Sequence, residues 1–450
     1  TRHPGKTCPV PLTYLRTLED GTPAAGPFEG WPDTLADFKL LDPCCGSGHF
    51  LVAAFLLLVP MRMAAEGLTA MDAVDYVLQD NLHGLELDAR CVEIAVFALA
   101  LTAWRFPDEN GDALGVRADM PAPHVACCGL KLTASADDWV ALIPDALSNK
   151  ELVAQDLRAL HADFAQSPLL GSLVSPSRSL KNDLATSNFA ALSELLERAL
   201  EAEAPTPAAG AGSEQDEDAR YLALTARGLM DAARLLEARY HLVVTNVPYL
   251  ARGKQSDTLK NYCATHYPEA KNDLANVFLE RCLELSRPQG QGVVQIVMPQ
   301  NWLFLTSYKK QRESLLKRVQ WNLLARLGEG GFDSPQAAGA FIILLTQTHA
   351  SAPADFVLHG VDASVPKAAQ EKAVLLREGA VLAVGQAGQL ENPDARVSLG
   401  EQVTTALLAE HAAGLAGVQT GDYPRFGRNF WEVPSLDGGW SLQHTTVDET

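Results

Sequence analysis

The eight cysteines show no paired C-x-x-C spacing. Cys8, Cys44, Cys45, Cys91, Cys127, Cys128, Cys263 and Cys282 therefore offer no zinc ribbon or finger, and no metal is expected. They lie mostly in apolar surroundings and read as free buried thiols of a reducing cytoplasm. Positive charge is scarce. Against 55 Asp and Glu there are 36 Lys and Arg, a net charge of −19. That balance argues against a protein that coats nucleic acid by bulk electrostatics, and leaves room only for a local basic cleft. No helicase P-loop, no P-D-x(n)-E-x-K nuclease pattern and no internal repeat is visible, so no restriction activity is expected within these residues. The longest apolar run, residues 50–65, is broken by Pro60 and Arg62. It is too short for a bilayer span and reads as a buried helix. Residues 1–30 carry no apolar core of signal-peptide length, so neither export nor a membrane is expected. The chain starts at Thr1 and stops at residue 450 without a closing signal, which reads as a piece of a longer polypeptide.

What is present suits a soluble globular chain: 47% hydrophobic and 20% charged residues over a length above that of one typical domain. Short apolar strands at 39–41 and 81–87 alternate with apolar helices that follow each, the signature of a parallel sheet covered by helices. Residues 131–239 break the pattern. They are Ala- and Leu-rich, mainly helical, and contain a low-complexity acidic stretch at 201–218 that reads as a flexible loop. The pattern returns with strands at 240–245 and 292–298, helices at 273–285 and 308–320, and strands at 323–327 and 340–345 expected to close the sheet. From about residue 351 Gly and Pro increase and strands shorten. The expected division is thus 1–130, 131–239, 240–350 and 351–450.

Three constellations carry chemistry. In LDPCCGSGHF, a strand delivers Asp42 and Pro43 to its carboxyl end. Gly46 and Gly48, flanking Ser47, let the backbone turn sharply, and a helix N-terminus follows. About 40 residues on, HGLELD places Glu86, with Asp88 as a neighbouring candidate, where an acid accepts hydrogen bonds from ribose hydroxyls. In TNVPYL, the amide of Asn246, the carbonyl of Val247 and the ring of Tyr249 gather just after a strand. An aromatic amine has its lone pair delocalised, so attack by it needs two acceptors for its hydrogens and a ring to align the base.

Together and in this order these segments resemble the amino-methyltransferases of DNA. The family's first motif, D-P-x-x-G-S-G-x-F, is matched at Asp42, Pro43, Gly46, Ser47, Gly48 and Phe50; its catalytic N-P-P-Y reads Asn246-Val247-Pro248-Tyr249. The resemblance implies a Rossmann-like class I core (α/β) in which the first turn holds the methionine end of S-adenosylmethionine and Glu86 its ribose. The leading Asn implies adenine, at its 6-amino nitrogen, as target. Val247 replaces the family's first proline; it keeps the carbonyl and loses the pre-set φ. Leu130 stands where relatives often carry an acid or Asn near the cofactor's adenine. KNDLANVFLE at 271–280 and VQTGDYPRFGRNFWEV at 418–433 resemble the large methyltransferases of phage-defence systems, of the BREX (PglX-like) and DISARM type, and of fused type IIG restriction-modification enzymes. That resemblance implies a helical insertion, the start of a C-terminal target-recognition domain, double-stranded DNA as partner and other defence-system proteins as further partners. Arg252, Lys254, Lys260, Lys271, Lys309, Lys310, Arg312, Lys317 and Arg318, interleaved with Tyr262, Tyr267, Trp302 and Tyr308, read either as a DNA path or as a solvated face and core aromatics. Two other functions stay open: methylation of a protein glutamine or of RNA, and a catalytically degenerate scaffold or sensor in a defence complex.

Overall fold

The computed structural model describes residues 8–129, 131–132, 135–141, 143, 150–179, 228, 231–331 and 339–400, with 411–412, 425, 427–433 and 435 beyond them. Leu130, the acidic stretch 201–218 and most of 418–426 lie outside the described residues. The chain divides into two compact units, Thr1–Gly400 and Glu401–Thr450. In the second, the described element is a single helical turn, Phe430–Glu432, closed by a capping box between Asn429 and Glu432.

The first unit is built on one nine-stranded sheet. Its strands are β1 (Leu40–Asp42), β2 (Leu82–Glu86), β3 (His124–Cys127), β4 (Leu242–Asn246), β5 (Val293–Pro299), β6 (Gln320–Gly328), β7 (Ile342–Thr348), β8 (Val357–Asp362) and β9 (Leu382–Gly385). They lie in the order β3-β2-β1-β4-β5-β7-β6-β8-β9. Strands β1 to β5 run parallel, and β7 is reversed against both β5 and β6. The order turns around at β1, which pairs with β2 on one side and β4 on the other. A crevice therefore opens at the carboxyl ends of β1 and β4, where ligands of open α/β sheets bind. This is the α/β fold expected of a methyltransferase core.

The helices are α1 (His49–Glu66), α2 (Ala70–Tyr76), α3 (Ala89–Trp104), α4 (Ala136–Ala141), α5 (Lys150–Phe164), α6 (Ser167–Leu170), α7 (Pro176–Ser179), α8 (Asp257–His266), α9 (Leu274–Leu285), α10 (Lys309–Arg318) and α11 (Ala369–Glu378). By length and composition α1 could cross a membrane. Here it covers a sheet face instead, burying Leu51, Phe55, Leu58 and Val59 along one stripe beside α3. Its lone cation, Arg62, is buried against Glu66, Asp80 and Asn81. The opposite core holds α9, buried almost all round.

The sheet does not end with β6 and β7. Strands β8 and β9 extend it, β8 parallel to β6 and β9 antiparallel to β8. Gly360 in β8 is a packing position, because a Cβ there would clash with the Leu399 side chain.

The turn from β1 to α1 rests on two left-handed glycines, Gly46 (φ +53°) and Gly48 (φ +84°), the latter capping α1. A Cβ on Gly46 would meet nothing within 4 Å, whereas one on Gly48 would sit 3.0 Å from Ala95 Cβ and 3.1 Å from Ala95 Cα. Gly46→Ala is expected to cost about 1–2 kcal/mol, the left-handed penalty alone. Gly48→Ala should cost about 1–3 kcal/mol more, because α1 must also move off α3. Urea denaturation of both variants checks the ranking; equal losses would contradict the close α1–α3 approach.

Candidate active site

Asp42 ends β1 with 1% of its surface exposed. Its Oδ1 accepts the Cys44 N–H at 3.1 Å, while Oδ2 is sealed from solvent and has no hydrogen-bond partner. Burial pushes the carboxyl up to about 7; the nearby Thr245 hydroxyl and the Cys44 amide pull it down, and the charge of Glu86 adds to the rise. Glu86 ends β2 and collects three backbone amides. Oε2 accepts from Gly46 at 2.8 Å, and Oε1 from Leu87 at 2.8 Å and Asp88 at 3.1 Å. Two carboxylate oxygens offer about four acceptor sites, so one remains on Oε2 for a further donor.

The other predicted residues of the first two motifs shape this corner. The Pro43 carbonyl accepts from Ser172 Oγ at 2.7 Å, and Ser47 Oγ pairs with His49 Nδ1 at 3.0 Å. Phe50 is half-buried in the first turn of α1. Asp88 serves elsewhere: it caps α3 through the Arg90 amide and ion-pairs with the Arg90 guanidinium at 2.6 Å, which holds its carboxyl at about 2.

Beside β1, β4 carries Asn246 to the same edge, where it is exposed. Tyr249 Oη donates to Asn246 Oδ1 at 3.1 Å. The Tyr249 ring packs against the cluster of Leu327, Ile342 and Ala363, and burial raises the pKa of its hydroxyl. Val247 is 3% exposed and fills the core, so a branched side chain occupies the space beneath the loop; Pro248 is exposed. The loop is held from α9. The Leu274 amide donates to the Leu250 carbonyl at 3.1 Å, and Arg252 N–H donates to the Asn272 carbonyl at 2.9 Å. The KNDLANVF segment thus clamps the loop that follows β4.

Pro43, Cys44, Glu86, Asn246, Val247 and Pro248 share one cavity of about 540 Å³, within the usual size of a cofactor site. Sequence reasoning missed one wall of it. Residues 168–173, inside the expected helical insertion, line the cavity as well. No chemical motif marks them; their placement depends on tertiary contacts alone.

The basic residues divide. Arg252 and Lys254 form the turn after the TNVPYL loop, Lys271 is half-buried nearby, and Lys309 and Lys310 open α10 after β5. Lys309 pairs with Glu313 at 3.9 Å and Asp394 at 3.7 Å. Arg312 does not belong to a DNA path. It is fully buried and donates to the carbonyls of Trp302, Leu305, Asp394 and Ala395. Arg318 pairs with Glu280. Tyr267, Trp302 and Tyr308 are core aromatics.

Residues 80–331, more than half of the chain, match the family described as Eco57I restriction-modification methylase. The chain belongs to this family. Similar curated proteins include the adenine-specific methyltransferase PglX of Lacticaseibacillus casei (strain Zhang), 26% identical over 299 residues, and the adenine-specific methyltransferase BrxX of Escherichia coli O9:H4 (strain HS), 28% identical over 303 residues. These alignments cover 66% and 65% of this methylase-family chain but 22% and 24% of the relatives, so the chain spans about a quarter of their length. Among solved structures it is similar to the DNA-bound type ISP restriction-modification enzyme LlaBIII, with 14% identity, 77% of this chain, 19% of that one and a TM-score of 0.41. It is also similar to the M protein of the type I enzyme EcoKI, with 13% identity, 76% of this chain, 49% of that one and a TM-score of 0.35.

Asp42 carries a pH signature. Its carboxyl titrates near 3.8 when unperturbed and at about 7 when folded, so the folded state binds the proton more tightly. Stability contributed by this group is therefore full below about pH 4 and falls as pH rises towards 7. Asp42→Asn removes that loss. Thermal denaturation should show the variant gaining on wild type at pH 8, by up to about 4 kcal/mol, with the gain shrinking towards pH 4. An offset independent of pH would contradict the buried-carboxylate assignment.

Proposed function

We propose that this site transfers a methyl group from S-adenosylmethionine to the 6-amino group of adenine in double-stranded DNA, within a bacterial anti-phage or restriction-modification system. The observation that carries the reading is the shared cavity: Asn246, an amide acceptor at a strand end, lies with Pro43 and Glu86 around one space. The family and the adenine-specific relatives support it. So does the donor set at the strand ends. An acceptor site remains on Glu86 for a ribose hydroxyl, and the tight β1–α1 turn, whose Pro43 and Cys44 line the cavity, suits the methionine end. When bound, S-adenosylmethionine supplies a methyl group on a positively charged sulfur.

The chain's own residues account for the rest. The exocyclic nitrogen of adenine is a poor nucleophile because its lone pair is delocalised into the ring. Asn246 Oδ1 and the Val247 carbonyl, drawing on its two hydrogens, favour a pyramidal nitrogen and stabilise the charge that develops on it. Asn246 Oδ1 meanwhile holds the Tyr249 hydroxyl, so an incoming amine exchanges for a protein donor rather than for bulk water. The Tyr249 ring, anchored on Leu327 and Ile342, is a fixed platform on which a flipped base stacks. On this reading Lys309 and Lys310 at the start of α10, with Lys254 and Arg252 after the catalytic loop and Lys271, contact DNA phosphates. The reading locates the protein with the DNA, in the cytoplasm.

Asn246→Ala should lower methyl transfer to DNA by about 10²–10³-fold, the usual loss for one charge-stabilising partner. Affinity for S-adenosylmethionine should stay within a few-fold. Incorporation of labelled methyl and calorimetry measure the two effects; unchanged turnover would overturn the assignment of Asn246.

A further inference from the structure

The segment at 167–173 is no surface loop. It comprises α6 and the helical turn Gly171–Leu173, and it is fastened to three other elements. Ser172 Oγ donates to the Pro43 carbonyl at 2.7 Å, joining it to the β1–α1 turn. Tyr262 Oη, from α8, donates to the Leu173 carbonyl at 2.7 Å. Arg281, from α9 and 1% exposed, donates to the Ser172 carbonyl at 2.9 Å and to the Val174 carbonyl at 2.7 Å. A buried guanidinium is tolerated only where its donors are used. Two of them fix the backbone of this segment.

Its position within the cavity is specific. Gly171 has a φ of +53°, and a Cβ there would lie 3.1 Å from Leu87 Cδ1 and 3.5 Å from Cys128 Sγ. The segment therefore abuts the residue that follows Glu86 and the residue that follows β3. Leu169 and Leu87 both line the cavity while remaining 53% and 45% exposed, so apolar surface stands open there for a ligand to cover.

A nucleoside whose ribose is held at Glu86 extends in two directions. Its 5′ arm, carrying the sulfur, must approach Asn246, so its base points away from the catalytic strand, towards Leu87, Cys128 and Gly171. We propose that residues 167–173 form the purine-side wall of the cofactor site, with Leu169 and Leu87 covering the purine ring and Arg281, Ser172 and Tyr262 as positioning residues. The inference rests on the S-adenosylmethionine reading of the cavity. It makes part of the expected insertion a component of the cofactor site.

The test is calorimetric, on the full chain, with two ligands: S-adenosylmethionine, and 5′-methylthioadenosine, which keeps adenine and ribose but lacks the amino-acid arm. Leu169→Glu, at a half-exposed position, should leave the melting temperature unchanged and weaken both ligands by the same factor, about tenfold or more. Asp42→Ala should weaken S-adenosylmethionine much more than methylthioadenosine. Wild-type affinity for both ligands in Leu169→Glu would overturn the purine wall and leave the cofactor reading intact. Loss for S-adenosylmethionine alone would move the segment to the methionine end and overturn the proposal. Binding of neither ligand by the wild-type chain would overturn the cofactor reading and the wall with it.

Discussion

The hydrogen bond from Gly46 N–H to the Glu86 carboxylate ties together the turns that follow β1 and β2. An ionised acceptor makes such a bond shorter and stronger than one between neutral groups. The same carboxylate gathers the Leu87 and Asp88 amides, so one side chain sets the course of both turns at the crevice. Everything else at the site is placed relative to that corner. Asp42 is sealed beneath it at a cost in stability, and β4, paired to the other side of β1, brings Asn246 alongside.

The second constraint is α9. A helix buried almost all round normally has a sheet on one face and further chain on the other, and α9 packs against β5 while serving several neighbours. Its first amide holds the loop after β4 through the Leu250 carbonyl, and Asn276 and Glu280 bond to Gln311 of α10. Arg281 holds the segment at 172–174. The 250–252 loop, α10 and the segment at 172–174 thus meet on a single helix. Arg312 does comparable work on α10, where four backbone carbonyls surround a guanidinium that sequence alone suggests is on the surface.

The legible features were local ones. Gly46, Gly48 and Glu86 mark turns whose geometry is written in a few adjacent residues, and the alternation of apolar strands and helices marks β1, β2, β4, β5, β6 and β7 but misses β3, whose four residues are too few to show a pattern. The illegible features depend on distant partners. Asp88 looks like a ribose ligand until the Arg90 guanidinium and the α3 amide are seen to engage it. Arg312 looks like part of a basic helix because Lys309, Lys310, Lys317 and Arg318 share it, yet it lies on the buried face with Leu315 and Leu316 and meets the 394–395 backbone. Strands β8 and β9 lie beyond residue 351, where rising Gly and Pro suggest a new region, and only their pairing with β6 joins them to this sheet. The cavity wall at 168–173 carries no chemistry of its own, so only its hydrogen bonds to Pro43, Tyr262 and Arg281 betray it.

Adenine methylation is tested most directly by incubating the protein with duplex DNA and S-adenosylmethionine carrying a deuterated methyl group, then digesting to nucleosides for mass spectrometry. The Asn246–Tyr249 geometry predicts labelled N6-methyladenine and no other labelled nucleoside. Label in N4-methylcytosine, in protein, or in no product at all would contradict it.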